Sequence, residues 1–150
     1  MTLYQDWTAN LIVVLVTVLA VGAAVLIHYE GLNFLSQWLA KRREHHPRRK
    51  VLYGIFGVLS LHILEIWIFG FAVWVALMFA NTGSVFGSTP TTLLDTVYLS
   101  AVTFTTVGFG DVAPVGPIRF IGGTTALTGF VLLAWSASFT YLEMERYWRR

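Results

Sequence analysis

Three long apolar runs organise the chain. Leu11 to Ile27 carries no charge, Val51 to Ala80 is broken only by His62 and Glu65, and about Ile118 to Leu142 is uncharged after Arg119. The first sits at the short end of what crosses a hydrocarbon core about 30 Å thick, and the second is long enough to cross with tilt. Between the second and third runs, a Gly/Ser/Thr/Pro loop leads into Thr91 to Thr103, an apolar stretch too short to span. That stretch predicts a re-entrant segment. Thr89 followed by Pro90 predicts a helix from about Pro90 to Phe104, with Thr89 as cap, Pro at the first helical position and Asp95 near the positive end of the dipole. In the linker after the first run, Leu32, Leu35, Trp38 and Leu39 recur at helical spacing. They fit either a short interfacial helix on the inner leaflet or an extension of the first membrane helix. Trp7, Tyr53 and Trp148, near the ends of runs, fit an interfacial aromatic belt. The pattern as a whole predicts an all-α membrane protein with three transmembrane helices and a re-entrant helix.

Composition agrees with that solvent. Hydrophobic residues make up 56% of the chain and charged residues 12%, a balance expected of a membrane protein. The absence of Cys excludes disulfides and thiolate metal sites. Ala20-Val21-Gly22-Ala23 could pass for a signal-peptide cleavage site, but the preceding MTLYQDWTAN has no Lys or Arg and contains Asp6, so an uncleaved first helix is expected. The basic residues give an orientation. Lys41, Arg42, Arg43, Arg48, Arg49 and Lys50 share one loop, Arg146, Arg149 and Arg150 lie in the tail, and only Arg119 falls on the other side. The positive-inside rule puts that loop and the C-terminus in the cytoplasm of a cell-membrane protein, with the N-terminus outside. The loop is read as topogenic; the alternative is binding of anionic lipid, at roughly 1 kcal/mol per basic side chain.

One strip stands out: Thr105-Thr106-Val107-Gly108-Phe109-Gly110-Asp111. It follows the short apolar run and precedes a return to the outside at Val112 to Pro117. Non-helical backbone at membrane depth is tolerated only where it is buried in protein or lines a watery path. A re-entrant loop of this kind implies a pore. A stack of carbonyls around a narrow axis can replace an ion's water, and successive carbonyls face one way only if the backbone alternates in handedness, which Gly108 and Gly110 allow.

Thr106 to Asp111 resembles the selectivity filter of potassium channels, with Phe109 where Tyr is commoner. The order of outer helix, pore helix, filter and inner helix over about Val51 to Leu142 also fits. The leading helix makes the chain look most like the small prokaryotic channels of that superfamily, so residues 1–50 read as a helix plus basic linker and 51–150 as the pore domain. The resemblance implies K+ sites at the carbonyls of Thr106, Val107, Gly108 and Phe109, with Gly110 completing the strip and the Thr106 hydroxyl closing the innermost site. It implies that Val107 and Phe109 side chains pack behind the filter, that Thr105, Asp111, Tyr98 and Val102 support it, and that four copies form a homotetramer around one axis. Relatives often hold the filter in a cuff built from a Trp pair, the filter Tyr and the following Asp. Tyr98 and Leu99 stand in the place of that pair, and Phe109 has no hydroxyl. Asp111 is therefore expected to lack its usual partner, and the filter to depend on packing and inactivate readily.

His62 and Glu65, three apart within the second run, are costly in a membrane and are functional candidates by default. Three readings stay open: a polar clamp to the pore helix or Thr103, a gating or pH-sensing pair, and a metal site of the His-x-x-Glu type. The third run is rich in small residues. Gly122-Gly123 suits close helix contact, Gly129 stands where the family often has a hinge, and Thr128, Ser136 and Ser138 are candidates to line a cavity. The four His, His45 and His46 adjacent in the basic loop, read as solvated more than catalytic. Nucleotide loops, HExxH, zinc knuckles and nucleophile elbows are missing from the sequence, so an enzyme, an organic cofactor or a nucleic-acid partner finds no support. No run repeats Arg at every third position as a voltage sensor would, and a ligand-binding gating domain is not expected in the short tail. The leading function is a potassium-selective channel; the alternatives are a weakly selective cation channel and a non-conducting membrane subunit of a transporter or sensor complex.

Overall fold

The computed structural model describes residues 6–41 and 47–148. Four helices and two short strands follow in the order α1 (Trp7–Lys41), α2 (Pro47–Ala76), β1 (Ser84–Phe86), α3 (Leu93–Phe104), β2 (Ala113–Val115) and α4 (Arg119–Trp148). The helices α1, α2 and α4 are long and apolar enough to cross a membrane, and α3 is the short apolar helix between them.

Asp6 starts α1. Its Oδ1 accepts the backbone N–H of Thr8 at 3.0 Å and of Ala9 at 3.2 Å, while its Oδ2 accepts Asn81 Nδ2–H at 2.9 Å. The Asn81 bond, followed by the Ala9 N–H, holds the Asp6 carboxyl below the ordinary aspartate range. α1 runs unbroken for 35 residues, about 52 Å at 1.5 Å per residue, well beyond a hydrocarbon core of about 30 Å. Of the two readings of Leu32, Leu35, Trp38 and Leu39, the structure has the extension. Leu32, Leu35 and Leu39 are buried against Val58 of α2, and Trp38 meets Tyr53 edge-on with centroids 5.9 Å apart. Arg42, Arg43, His45 and His46 lie outside the described residues, as do Arg149, Arg150 and the side chains of Arg48 and Trp148.

The buried stripe of α1 continues upward through His28, Ala24, Ala20, Thr17, Val13 and Ala9, always three or four residues apart. That is the period of one helix face. Ala20 and Ala24 join Ala72 and Phe69 of α2, Phe104 of α3 and Leu132 of α4 in one cluster. Val13 joins Val73, Ala76, Val85, Leu99, Ile118 and Ile121 in another. Lipid tails are as apolar as these side chains, so it is close van der Waals packing at small residues that holds such helices together. The outward face of α1, with Leu11, Leu15, Val18, Leu19 and Leu26 exposed, suits hydrocarbon.

Helix α2 stops at Ala76, short of the expected Ala80. Thr82 Oγ1–H donates to the Ala76 and Phe79 carbonyls at 2.7 and 2.9 Å, and Asn81 takes a left-handed φ of 64°. These satisfy carbonyls that the helix end leaves open. β1 and β2 pair antiparallel, Ser84 with Val115, Val85 with Pro114 and Phe86 with Ala113. The pairing adds a small sheet to an otherwise all-α architecture. It joins the segment before α3 to the segment after the Thr105–Asp111 strip.

Candidate functional site

Helix α3 begins later than Thr89-Pro90 suggests. Its N-cap is Thr92, whose side chain accepts the Asp95 N–H at 3.3 Å while Asp95 Oδ2 accepts the Thr92 N–H at 2.7 Å. This capping box satisfies two orphan donors at once and outranks the Pro signal. The Thr92 N–H is the leading reason that the Asp95 carboxyl sits below its usual range. At the other end, Thr105 closes the helix. Its N–H and its hydroxyl both donate to the Ala101 carbonyl, at 3.1 and 2.8 Å.

The strip that follows has the alternation expected of it. Thr106, Gly108 and Gly110 have φ of 59, 55 and 83°, while Val107 and Phe109 are not left-handed. Gly108 and Gly110 were legible as left-handed positions; Thr106 was not, because a β-branched residue rarely takes positive φ. The Thr106 N–H bonds the Thr103 carbonyl at 3.0 Å, and the Gly108 N–H bonds the Val102 carbonyl at 3.0 Å. Val102 thus fastens the middle of the strip to α3. Val107 and Phe109 side chains are exposed in the single chain.

Asp111 does have a partner. Tyr98 Oη–H donates to Asp111 Oδ2 at 2.8 Å across thirteen residues. The expectation of an unpartnered Asp111 looked to Phe109 for the missing hydroxyl, whereas α3 places Tyr98 one turn and a half from its C-terminus, level with the outer end of the strip. That bond, more than burial, raises the Tyr98 phenol above its ordinary range.

Gly129 packs against the inner end of α3. A Cβ there would meet the Phe104 carbonyl oxygen at 2.1 Å, so the position demands close approach whether or not it bends. Of the neighbouring pair, a Cβ at Gly122 would touch Pro114 at 3.2 Å, while Gly123 faces open space within the chain. Thr128 and Ser136 are buried in the chain's own packing and do not line a cavity within it, because both lie on the α4 face turned to the other helices; Ser138 is exposed.

His62 and Glu65 form a clamp, but not to α3. Thr103 spends its hydroxyl on the Leu99 carbonyl of its own helix, at 2.6 Å. Glu65, fully buried, instead binds two imidazoles: its Oε1 lies 2.7 Å from His28 Nδ1 of α1, and its Oε2 2.8 Å from His62 Nδ1. His28 was missed because ending the first run at Ile27 left it in the linker among residues read as solvated; it is 0% exposed. A signal existed, since His28 falls on the buried stripe at helical spacing. The rings stack into their surroundings: His28 lies 5.3 Å from Trp135 of α4 and 5.5 Å from His62, and His62 lies 5.8 Å from Phe104. The three donor atoms fall within 4.8 Å of one another. Both Nδ1 atoms are already matched to separate carboxylate oxygens, and neither buried Nε2 has a hydrogen-bond partner. A metal held through Nδ1 would leave each Nε2–H without the acceptor that orients such ligands. The cluster therefore fits a hydrogen-bonded clamp better than a metal centre.

A protein-family model described as "Ion channel" matches residues 52–144, from the first turns of α2 through the strip to the last turns of α4. Protein LctB of Geobacillus stearothermophilus is 34% identical over 99 residues, covering 58% of this chain and 74% of that protein. Protein LctB of Bacillus caldotenax is 34% identical over 87 residues, covering 50% of this chain and 65% of that protein. No solved structure matches.

Proposed function

The chain belongs to the ion-channel family matched across residues 52–144, and from that membership we propose that it is a potassium-selective channel, passing K+ passively through the central pore of a homotetramer. The observation that carries this reading is the left-handed φ at alternate positions Thr106, Gly108 and Gly110 of a strip fastened to a short re-entrant helix. Alternating handedness turns successive carbonyls toward one side, and rings of such carbonyls can replace the hydration shell of K+. On this reading the carbonyls of Thr106, Val107, Gly108 and Phe109 hold the ions, the Thr106 hydroxyl bounds the innermost site, and Gly110 turns the chain outward. Thr105, Val102, Tyr98 and Asp111 fix the strip. One chain supplies one strip, and closed fourfold symmetry makes the ring. The C-terminal end of α3 points its partial negative charge at the ion path, which favours a cation there. By the positive-inside rule the basic linker and tail lie in the cytoplasm and the N-terminus outside.

Reconstitution into liposomes tests this. A potassium gradient should set a reversal potential close to the Nernst value, and replacing potassium by sodium should abolish it. Equal permeability to both ions would overturn selectivity, and no flux of either ion from intact tetramers would overturn conduction.

A further inference from the structure

The clamp has an odd count of charges. With Glu65 ionised and both imidazoles neutral, the two Nδ1–H donors satisfy both carboxylate oxygens and leave a net charge of −1 among four packed helices. One additional proton, on either Nε2 or on the carboxyl, keeps both hydrogen bonds and makes the cluster neutral. A second brings two imidazolium rings together at a centroid distance of 5.5 Å. Bare charge at membrane depth is costly, and like charges at that separation repel. The surroundings select the intermediate count. Facing the cluster are His28 from α1, His62 and Glu65 from α2, Phe104 from α3 and Trp135 from α4. Neither Phe104 nor Trp135 titrates, and both rings lie with centroids within the roughly 6 Å at which a cation is attracted. On α4 the next titratable groups are Tyr141, at a groove beside His62, and Glu143, eight residues beyond Trp135 and about 12 Å along the axis. On α3, Tyr98 is paired with Asp111, and Asp95 is at the opposite end of the helix.

We propose that His28, Glu65 and His62 form a binding site for a single shared proton in each chain, and that its occupancy is felt at the filter through Phe104. The port is His62: its side chain is 9% exposed while His28 and Glu65 are closed off, and it lines a groove of about 440 Å³ between α2 and α4 with Ile55, Leu59, Ala137 and Tyr141. The transmission path is short. The His62 ring rests on Phe104, Phe104 ends α3, its carbonyl lies against Gly129, and Thr105 and Thr106 follow at once. Changing the charge on His62 changes what presses on the inner end of the filter.

The effect on conduction rests on the channel reading; the proton count does not. Full-length protein with ¹⁵N-labelled histidine rings, in lipid nanodiscs, reports the protonation of each ring nitrogen as pH is varied. One proton per chain should be gained or lost in one step shared by the His28 and His62 rings. Glu65→Gln, which still offers one acceptor and one donor to the two rings, should abolish the step, while His28→Gln should leave a step carried by the His62 ring alone, so a folding failure in one variant leaves the other to decide. In liposomes, wild-type potassium flux should change on the order of fivefold across that step and stay flat in Glu65→Gln. Two rings titrating independently, or remaining neutral throughout, overturns the proposal. So does a Co²⁺ absorption spectrum that His62→Gln abolishes, which would make the cluster a metal site. Flux that ignores an intact step overturns the link through Phe104, whereas absent flux with the step intact bears on the channel reading alone and leaves the proton site standing.

Discussion

Tyr98 and Asp111 show how a single hydroxyl can relocate a support. Phe109 offers no donor, yet α3 delivers one to the same carboxylate from Tyr98, at 2.8 Å. Tyr98→Phe should therefore hasten the decay of potassium current in planar bilayers, while Phe109→Tyr should do little, because Asp111 Oδ2 is already occupied. The pH sign follows from the raised phenol: a group whose folded value lies above its unfolded value contributes while protonated and loses that contribution as pH rises through the folded value. Wild-type current should then persist through neutral pH and fall only above the ordinary phenol range of about 10, and Tyr98→Phe should be insensitive there. Gly129→Ala acts differently. Its Cβ would meet backbone oxygen of Phe104 at 2.1 Å, and overpacking of this kind costs about 1–3 kcal/mol. A lowered melting temperature in detergent would mark a packing role; an unchanged one with altered gating would mark a hinge. At this scale the sequence was legible where chemistry is local, as for the two glycines of the strip. It was not where a partner comes from another element, as for Tyr98 with Asp111 and His28 with Glu65.

Elements were legible to the extent that hydropathy marks them. The three crossing helices and the re-entrant one fall where the apolar runs do, but their ends are set by polar bonds that hydropathy does not see. Asp6 begins α1 before the apolar run, and Thr82 ends α2 within it. At α3 two start signals competed. Thr89-Pro90 is the more conspicuous, but Thr92-x-x-Asp95 closes reciprocally and wins. Replacing Thr92 by Ala should cost about 0.5–2 kcal/mol, seen as faster hydrogen exchange over the first turn of α3, whereas Thr89→Ala should leave that turn unchanged. Because the Asp95 carboxyl is held below its ordinary value, the box persists above the unfolded aspartate range and is lost as pH falls through the folded value. Exchange in that turn should quicken only in acid. The β1–β2 pairing left no sequence signal: three-residue strands are too short to show alternation, and Pro114 reads against a strand because it has no N–H to give.

For the whole molecule, the single chain is complete in its helix packing and incomplete around the strip. α1 packs into the same core as α2, α3 and α4, yet Val107 is 55% exposed and Phe109 72% exposed in the single chain. In the proposed ring neighbouring copies would cover them, and the number of copies can be counted functionally. Gly110 has φ of 83° and open space where a Cβ would stand. Gly110→Ala thus disturbs the backbone of the strip without a steric clash in the fold. Its chains should assemble normally and fail to conduct. Mixed in equal amounts with wild-type chains before assembly, they leave about one-sixteenth of closed four-membered rings wholly wild type. Potassium flux per assembled ring should fall toward that fraction if one faulty strip disables a ring. A fall to about one half would mean that each chain conducts by itself, since random pairing into symmetric assemblies always depresses the wild-type fraction further. The shape of the decline as the mixing ratio is varied gives the number of strips around one ion path.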